Sequence, residues 1–166
     1  MKRAQGAKGL PLIECINRYL GKYRIRWDIR TEEEGTISFY EMEIIRRDRL
    51  RFLDIKTALL EGINSLTDKR ILSEFKWKDM PVWLSNENQF NYKAAYDLCV
   101  QSGGTTLPAI FKFGTTENPI YYEFKTMEDL SDFYIKAMQH ISNALRDGWV
   151  MKDSINWDDY KKYTDK

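Results

Sequence analysis

The 166-residue sequence predicts an α+β fold in which antiparallel β-hairpins pack with three to four amphipathic helices. Two observations lead to this class. Segments that alternate apolar and polar residues come in adjacent pairs joined by short polar turns, which is typical of hairpins. Segments with the apolar spacing of α-helices separate these pairs. Because the strands come as hairpins, an antiparallel sheet is favoured over a doubly wound parallel one.

Length and composition favour a folded single domain. Hydrophobic residues make up 43% of the chain and aromatic residues 14%, which is enough for a core and argues against intrinsic disorder. No apolar run approaches the roughly 18 residues of a membrane span, and a signal peptide is not expected. We expect a basic N-terminal arm and short helix over 1–22, one α+β domain over 23–156, and a polar tail over 157–166.

The first third of the chain predicts an arm, a helix and a hairpin. Residues 1–9 are basic and glycine-containing, which is typical of a flexible arm. Pro11 to Leu20 has helical apolar spacing, and Gly21 is a stop signal. Alternation over 23–29 and again over 36–44 indicates two strands around a polar turn, and therefore a hairpin over 23–44.

The remaining elements follow from apolar spacing, caps and turns. Thr126 and Asp129 form a helix-capping pattern, and Ser85 is an N-cap candidate. The predicted elements are a helix over 52–66, strands over 71–77 and 82–84 around the turn 78–81, a helix over 85–101 ended by Gly103 and Gly104, strands over 107–113 and 120–124, a helix over 126–148 ended by Gly148, and a short helix within 156–166.

Two helices have predicted inward faces. The helix over 85–101 should bury Phe90, Ala94, Ala95, Leu98 and Cys99. The final helix should bury Leu130, Phe133, Tyr134, Ala137, Ile141, Ala144 and Leu145. Both sets follow the i, i+3, i+4 spacing of an amphipathic helix.

The sequence offers no recognisable catalytic or metal-binding pattern. Cys15 and Cys99 lie in apolar segments with helical spacing and are predicted to be buried free thiols. His140, the one histidine, lies beside an apolar helix face, which favours a structural or surface role. The Glu128-Asp129 pair fits a helix start better than a metal site. We therefore predict no enzyme, no catalytic residue, no cofactor and no metal.

Charge and aromatic residues are the remaining candidates for binding. Residues 1–30 hold eight Lys or Arg against two Asp or Glu, so this end could meet an acidic protein surface or nucleic acid, or could simply be solvated. Trp77 and Trp83 flank a turn, where they could pair across strands or form a platform for a partner. The candidate partner-binding residues are Lys2, Arg3, Lys8, Arg24, Arg26, Trp77 and Trp83.

Three segments together resemble a known family. They are 74–92 (EFKWKDMPVWLSNENQFNY), 107–114 (LPAIFKFG), and the final helix through Gly148-Trp149 and Lys152-Asp-Ser-Ile155. They are similar to a phage-borne domain family of unknown function found in tail-fibre and tail-fibre-assembly proteins, in the version found in crAss-like phages of gut bacteria. The resemblance covers about residues 70–156 and contains no catalytic motif.

The resemblance implies a non-enzymatic phage virion structural, accessory or assembly protein. Its partners would be other virion proteins, with homo-oligomers left open, and it would move from the host cytoplasm during assembly into the virion. The chain has no fibre shaft or glycine-rich repeat, which favours a small accessory, adaptor or assembly protein over a fibre. We predict a tail- or fibre-associated adaptor. The alternative is a small nucleic-acid-binding or regulatory phage protein that uses the basic N-terminal third on phosphates.

Overall fold

The computed structural model describes residues 2–32 and 35–164 and confirms the α+β class with antiparallel hairpins. The chain divides into two compact units, Met1–Leu66 with Gly148–Lys166 (unit 1) and Thr67–Asp147 (unit 2). The domain predicted over 23–156 therefore includes parts of both units. No helix in the described ranges is long and apolar enough to cross a membrane.

Strands and helices alternate in groups along the chain. The strands are β1 (Lys2–Ala7), β2 (Ile13–Asn17), β3 (Lys22–Thr31), β4 (Thr36–Ile45), β5 (Lys76–Trp77), β6 (Met80–Pro81), β7 (Ala109–Gly114) and β8 (Pro119–Phe124). The helices are α1 (Phe52–Ser73), α2 (Asn86–Gln101), α3 (Met127–Asp153) and α4 (Asp158–Lys161).

Unit 1 contains a four-stranded antiparallel sheet with the strand order β1-β4-β3-β2. Its central β3–β4 pair confirms the hairpin predicted over 23–44. Ile25 and Trp27 project from one face of β3 into a core that also takes Ile55 and Leu59 of α1. The alternation in the sequence was therefore a correct guide, because one face of this hairpin is buried.

The predicted N-terminal arm and short helix are wrong, since both segments are strands. β1 pairs with β4, and β2 pairs with β3 at the opposite edge of the sheet. Residues 8–12 connect these two edge strands. Leu10 packs against Gly6, where an added Cβ would lie only 2.7 Å from the Leu10 side chain. The open edges of the hairpin supply hydrogen-bond partners that short-range apolar spacing does not reveal.

The prediction for one of the two cysteines is also corrected, because its segment is a strand and not a helix. Cys15 pairs with Tyr23 in the β2–β3 ladder and is exposed, so the predicted buried thiol is wrong. Cys99 on α2 is buried and free, as predicted.

The middle of the chain is more helical than predicted. α1 runs to Ser73, beyond the predicted end at residue 66, so Ile71 is helical and not the start of a strand. The hairpin that follows has only two residues in each strand, and the return strand predicted over 82–84 is wrong. Its turn places Lys78 and Asp79 at φ 46° and 63°, the left-handed geometry of a tight two-residue turn.

Unit 2 follows the predicted order of hairpins and helices. Ser85 caps α2 by accepting a hydrogen bond from the Asn88 amide, and Thr126 accepts one from the Asp129 amide at the start of α3. β7 and β8 confirm the third hairpin. The core contains Trp77, Tyr92 and the phenylalanines of β7, β8 and α3, together with smaller side chains.

The final third differs from its prediction at the helix end and in the tail. α3 continues through Gly148 to Asp153, so the glycine stop is wrong. Gly148 is buried there, which is a reason for a small residue within a helix. The predicted short tail helix is confirmed as α4, but the tail is not merely polar. Tyr160 is buried in unit 1 and donates a hydrogen bond to the Arg26 carbonyl oxygen.

Candidate protein-interaction surfaces

One face of the sheet in unit 1 carries an array of paired charges. The Glu41 carboxylate lies 3.3 Å from Nζ of Lys2, 3.6 Å from Nε of Arg24 and 4.0 Å from Nε of Arg26. Arg24 also donates a 3.0 Å hydrogen bond to Glu43. The alternation that predicted a half-buried strand places these basic residues on the face opposite the core, where acidic residues of β4 meet them.

Arg26 is buried inside this array, with only 3% of its surface exposed. Its guanidinium donates to the Pro11 carbonyl oxygen at 2.9 Å and to the Glu14 carboxylate at 2.6 Å. It also lies 5.6 Å above the Phe39 ring. Arg26 thus ties the 8–12 crossover to the sheet, and its guanidinium does not reach solvent as a partner-binding group would.

Two of the three basic residues of the predicted arm, Arg3 and Lys8, differ in their surroundings. Arg3 donates 2.7 Å hydrogen bonds to Asp28 and Ser38 and lies 4.8 Å above the Tyr40 ring. Lys8 is exposed and has no ion-pair partner in the described part of the chain. Of the five predicted basic contacts, Lys8 and the mostly exposed Lys2 are therefore the most accessible.

The two candidate tryptophans do not form one platform. Trp77 lies opposite Met80 in the short hairpin and is 2% exposed, with its ring 5.4 Å from Phe133 and 6.0 Å from Phe124. Trp83 lies beyond the hairpin and is 52% exposed. Trp77 is thus a core residue, whereas Trp83 is available to a partner.

A polar network joins the short hairpin of unit 2 to β8 and α3. Lys78 donates to Asp129 at 2.8 Å and also to the Tyr122 hydroxyl, which in turn donates to Asp129 at 2.7 Å. The carboxylate of Asp129, and then the hydroxyl of Tyr122, raise the pKa of Lys78 above its ordinary value. These contacts tie the turn of the short hairpin to β8 and to the start of α3.

A groove of about 490 Å³ opens in unit 2 between the end of α1, the start of α2 and α3. Its lining is part apolar and part polar. The apolar part, which we call the floor, consists of Ile71, Leu72, Leu84, Ile141 and Leu145, and the polar part, which we call the rim, consists of Asp68, Ser85, Asn86 and Gln89. No sequence pattern reveals this groove because three separate segments supply its floor. The only local signal was the Ser85 cap, which fixes one side of the rim.

The exposed side of α2 carries a short row of apolar residues among polar ones. Phe90, Ala94 and Leu98 follow one another at four-residue intervals, and Phe90 and Leu98 are 72% and 55% exposed. We refer to these three residues as the α2 stripe. The buried side of α2 is the opposite one, with Tyr92 and Cys99. The predicted inward face was therefore wrong, although Cys99 itself is buried.

His140 and Asp129, two of the polar residues considered from the sequence, have structural contacts. Nε2 of His140 lies 2.9 Å from the Arg70 carbonyl oxygen, and its ring is 5.4 Å from that of Phe75, which confirms the predicted structural role. Glu128 and Asp129 lie in the first turn of α3, as predicted. Within residues 2–32 and 35–164, no group of three or more His, Cys, Asp or Glu has a metal-binding arrangement.

Comparisons with protein-family models, curated proteins and solved structures give no match. The resemblance to the phage domain family therefore stays a prediction from the sequence. The surfaces described above are the basis on which a function can be proposed.

Proposed function

We propose that this chain is a non-enzymatic phage virion structural, accessory or assembly protein that acts by binding other proteins, as a tail- or fibre-associated adaptor. The observation that carries the protein-binding part is the groove of unit 2. Its volume falls within the several hundred Å³ typical of binding sites. An apolar floor with a polar rim is the arrangement that receives an aliphatic or aromatic anchor residue of a partner.

Two further features of unit 2 support protein binding. Trp83, two residues before the Ser85 rim, is exposed, and tryptophan is enriched among residues that dominate binding energy. The outer face of the β7–β8 hairpin also exposes Ile110 and Tyr121. Exposed large apolar side chains at several places in unit 2 favour contact with proteins over contact with a charged polymer.

The charges of unit 1 favour protein binding over the alternative of nucleic-acid binding. Arg3, Arg24 and Arg26 each pair with carboxylates of the same unit. Phosphate binding needs cations that are free to replace the counterions of the nucleic acid. A fluorescence titration with single- and double-stranded DNA and RNA at about 50 mM salt tests this alternative. Binding that weakens steeply at higher salt would support it and count against the protein-binding proposal.

The phage setting is supported by the sequence resemblance alone. Quantitative mass spectrometry of gradient-purified particles, from the infected bacterium that makes the chain, tests it directly. We expect a constant number of copies per particle or per assembly intermediate. A chain that is abundant in infected cells but absent from both would overturn this part of the proposal.

Deletion of residues 1–9 is not a suitable test of partner binding. If residues 1–9 were the flexible arm that the sequence predicts, their deletion would weaken assembly while the domain stays folded. Residues 2–7 instead form β1 and pair with β4, so the deletion exposes a sheet edge and removes the contacts of Arg3. Substitutions at exposed positions of unit 2 avoid this problem.

A further inference from the structure

One corner of the sheet in unit 1 combines exposed apolar side chains with arginines. It consists of the turn between β2 and β3 and of the residues at the end of β4 and just after it. We refer to Arg18, Tyr19, Leu20, Ile45 and Arg47 as the basic tip. We propose that the basic tip binds the surface of an anionic membrane. This inference goes beyond the proposed function, because it adds a lipid surface to the protein partners.

Hydrogen bonds hold the two parts of the basic tip together. The Leu20 amide donates to Oδ1 of Asn17 at 3.0 Å, and the Arg46 amide donates to the Gly21 carbonyl oxygen at 2.7 Å. The turn is therefore fixed at its own base and lies directly against the chain that leaves β4. A surface that is formed in advance loses little conformational entropy when it binds.

The apolar side chains of the basic tip project into solvent. Tyr19 is 100% exposed, and Leu20 and Ile45 are 54% and 58% exposed. Tyrosine is enriched at membrane interfaces, where its ring lies among the lipid headgroups. Aliphatic side chains gain from contact with the boundary between headgroups and acyl chains. The basic tip therefore offers aromatic and aliphatic groups of the kinds that a membrane surface accepts.

The surroundings of the basic tip are positively charged. Residues 18–22 and 43–54 hold six Lys or Arg against three Asp or Glu, a net charge of +3, although the whole chain carries only +1. Three ion pairs neutralise part of this charge, and they are Lys22–Glu43, Arg46–Asp54 and Arg51–Asp54. Arg18 and Arg47 are exposed and have no ion-pair partner in the described ranges. They are available to the phosphate groups of anionic lipids.

The combination of apolar groups and charge favours a membrane over other anionic partners. Nucleic acids are bound by cations and by aromatic rings that stack on bases, and Leu20 and Ile45 supply neither. A protein would need a cavity shaped to receive the projecting Tyr19, with carboxylates placed at its rim. A membrane presents anionic headgroups above an apolar layer across its whole surface. The basic tip can therefore contact both without a matched shape.

Vesicle co-sedimentation tests this contact with defined lipids. The purified chain is mixed, at about 0.1 M salt, with vesicles of phosphatidylcholine alone or with about 30% phosphatidylserine. We expect binding to the anionic vesicles to be at least tenfold stronger and to weaken as salt rises. Arg18→Glu and Arg47→Glu should each weaken it about tenfold, because one basic residue near the surface contributes about fivefold and the substitution also reverses its charge. Tyr19→Ser should weaken it severalfold, because no ring then enters the headgroup layer.

Lys8→Glu is the matched control for the change of charge. Lys8 is exposed, like Arg47, but it follows Ala7, which pairs with the start of β4, whereas the basic tip lies at the end of that strand. The two positions are therefore about 30 Å apart along β4, which is beyond the reach of a screened charge at this salt concentration. Lys8→Glu should bind the anionic vesicles as the unchanged chain does. All the substituted side chains are exposed, so the variants should fold.

The outcomes separate this inference from the proposed function. Equal binding to neutral and anionic vesicles, or no binding to either, overturns the lipid contact. Equal weakening by Lys8→Glu and Arg47→Glu overturns the basic tip as its site. Binding to duplex DNA but not to vesicles, reduced by Arg47→Glu, assigns the tip to nucleic acid and also overturns the proposal. The vesicle assay contains no other protein, so its failure leaves the groove of unit 2 as the proposed protein-binding site, and failure of the groove leaves the lipid contact standing.

Discussion

Replacement of Arg26 distinguishes a structural arginine from a partner-binding one. Its side chain is almost fully buried, with hydrogen bonds to Pro11 and Glu14 and an aromatic contact with Phe39. Arg26→Met keeps most of the aliphatic volume and removes the two hydrogen bonds. Glu14 is half-exposed and can be rehydrated, so this variant should lose about 1–2 kcal/mol of unfolding free energy.

Arg26→Ala should cost more because it also removes the packing of the arginine stem. A large-to-small change at a buried site adds a cavity term, which brings the expected loss to about 3–4 kcal/mol. For a unit of this size that corresponds to a fall of about 12–32 °C in melting temperature. The difference between the methionine and alanine variants therefore measures packing separately from charge.

Hydrogen exchange followed by mass spectrometry is the appropriate assay, because it reports on the two units separately. Amides of β1 to β4 should lose protection in both variants, and more in Arg26→Ala. Amides over 86–124, in unit 2, provide the internal control. Wild-type protection throughout β1 to β4 in Arg26→Ala would refute the buried arrangement and return Arg26 to the candidates for partner binding.

Three further predictions concern unit 1 and the thiols. Gly21 has φ 59°, and a Cβ there would lie 1.9 Å from the backbone oxygen of Arg46. Gly21→Ala should therefore lose about 3 kcal/mol of unfolding free energy, measured in urea. An unchanged urea midpoint would contradict this geometry. Hydrogen bonds from Arg51 lower the pKa of Asp54. The ionised carboxylate should therefore stabilise the fold by about 2 kcal/mol at neutral pH, and this contribution should be lost as the pH falls below about 4. The unfolding free energy of Asp54→Asn should be lower than that of wild type at pH 7, and the two should converge in acid. Maleimide should label Cys15 in the native protein and Cys99 only after unfolding, and equal labelling of both would show that α2 does not bury its thiol.

The sequence was informative where one face of an element is buried and the other is solvated. Alternation of apolar and polar residues predicts the β3–β4 and β7–β8 hairpins. Capping side chains predict the starts of α2 and α3. It was misleading at β1 and β2, because an edge strand is specified by the partner whose backbone groups it pairs. Leu12, Ile13 and Ile16 fit a helix as well as a strand over so short a range.

The candidate surfaces were harder to predict than the fold. Basic residues can be counted in a sequence, but their acidic partners on β4 are known only when the strand register is known. The apolar spacing of α2 correctly predicts a row of apolar residues along the helix. The prediction that this row faces the core is wrong, since it faces solvent. Tyr92 lies among the aromatic rings of the core, near Phe111 and Phe133, and this packing orients the helix with the stripe outward.

Incorporation of groove variants into particles tests the central claim most directly. Leu145→Glu places a charge on the groove floor, and Ile135→Glu places one at an exposed apolar position on the same helix that is not part of the groove. Circular dichroism first establishes that both variants are folded. We predict that wild type and Ile135→Glu enter particles at the same copy number and that Leu145→Glu is reduced at least tenfold. Equal incorporation of all three chains would contradict the groove as the binding site.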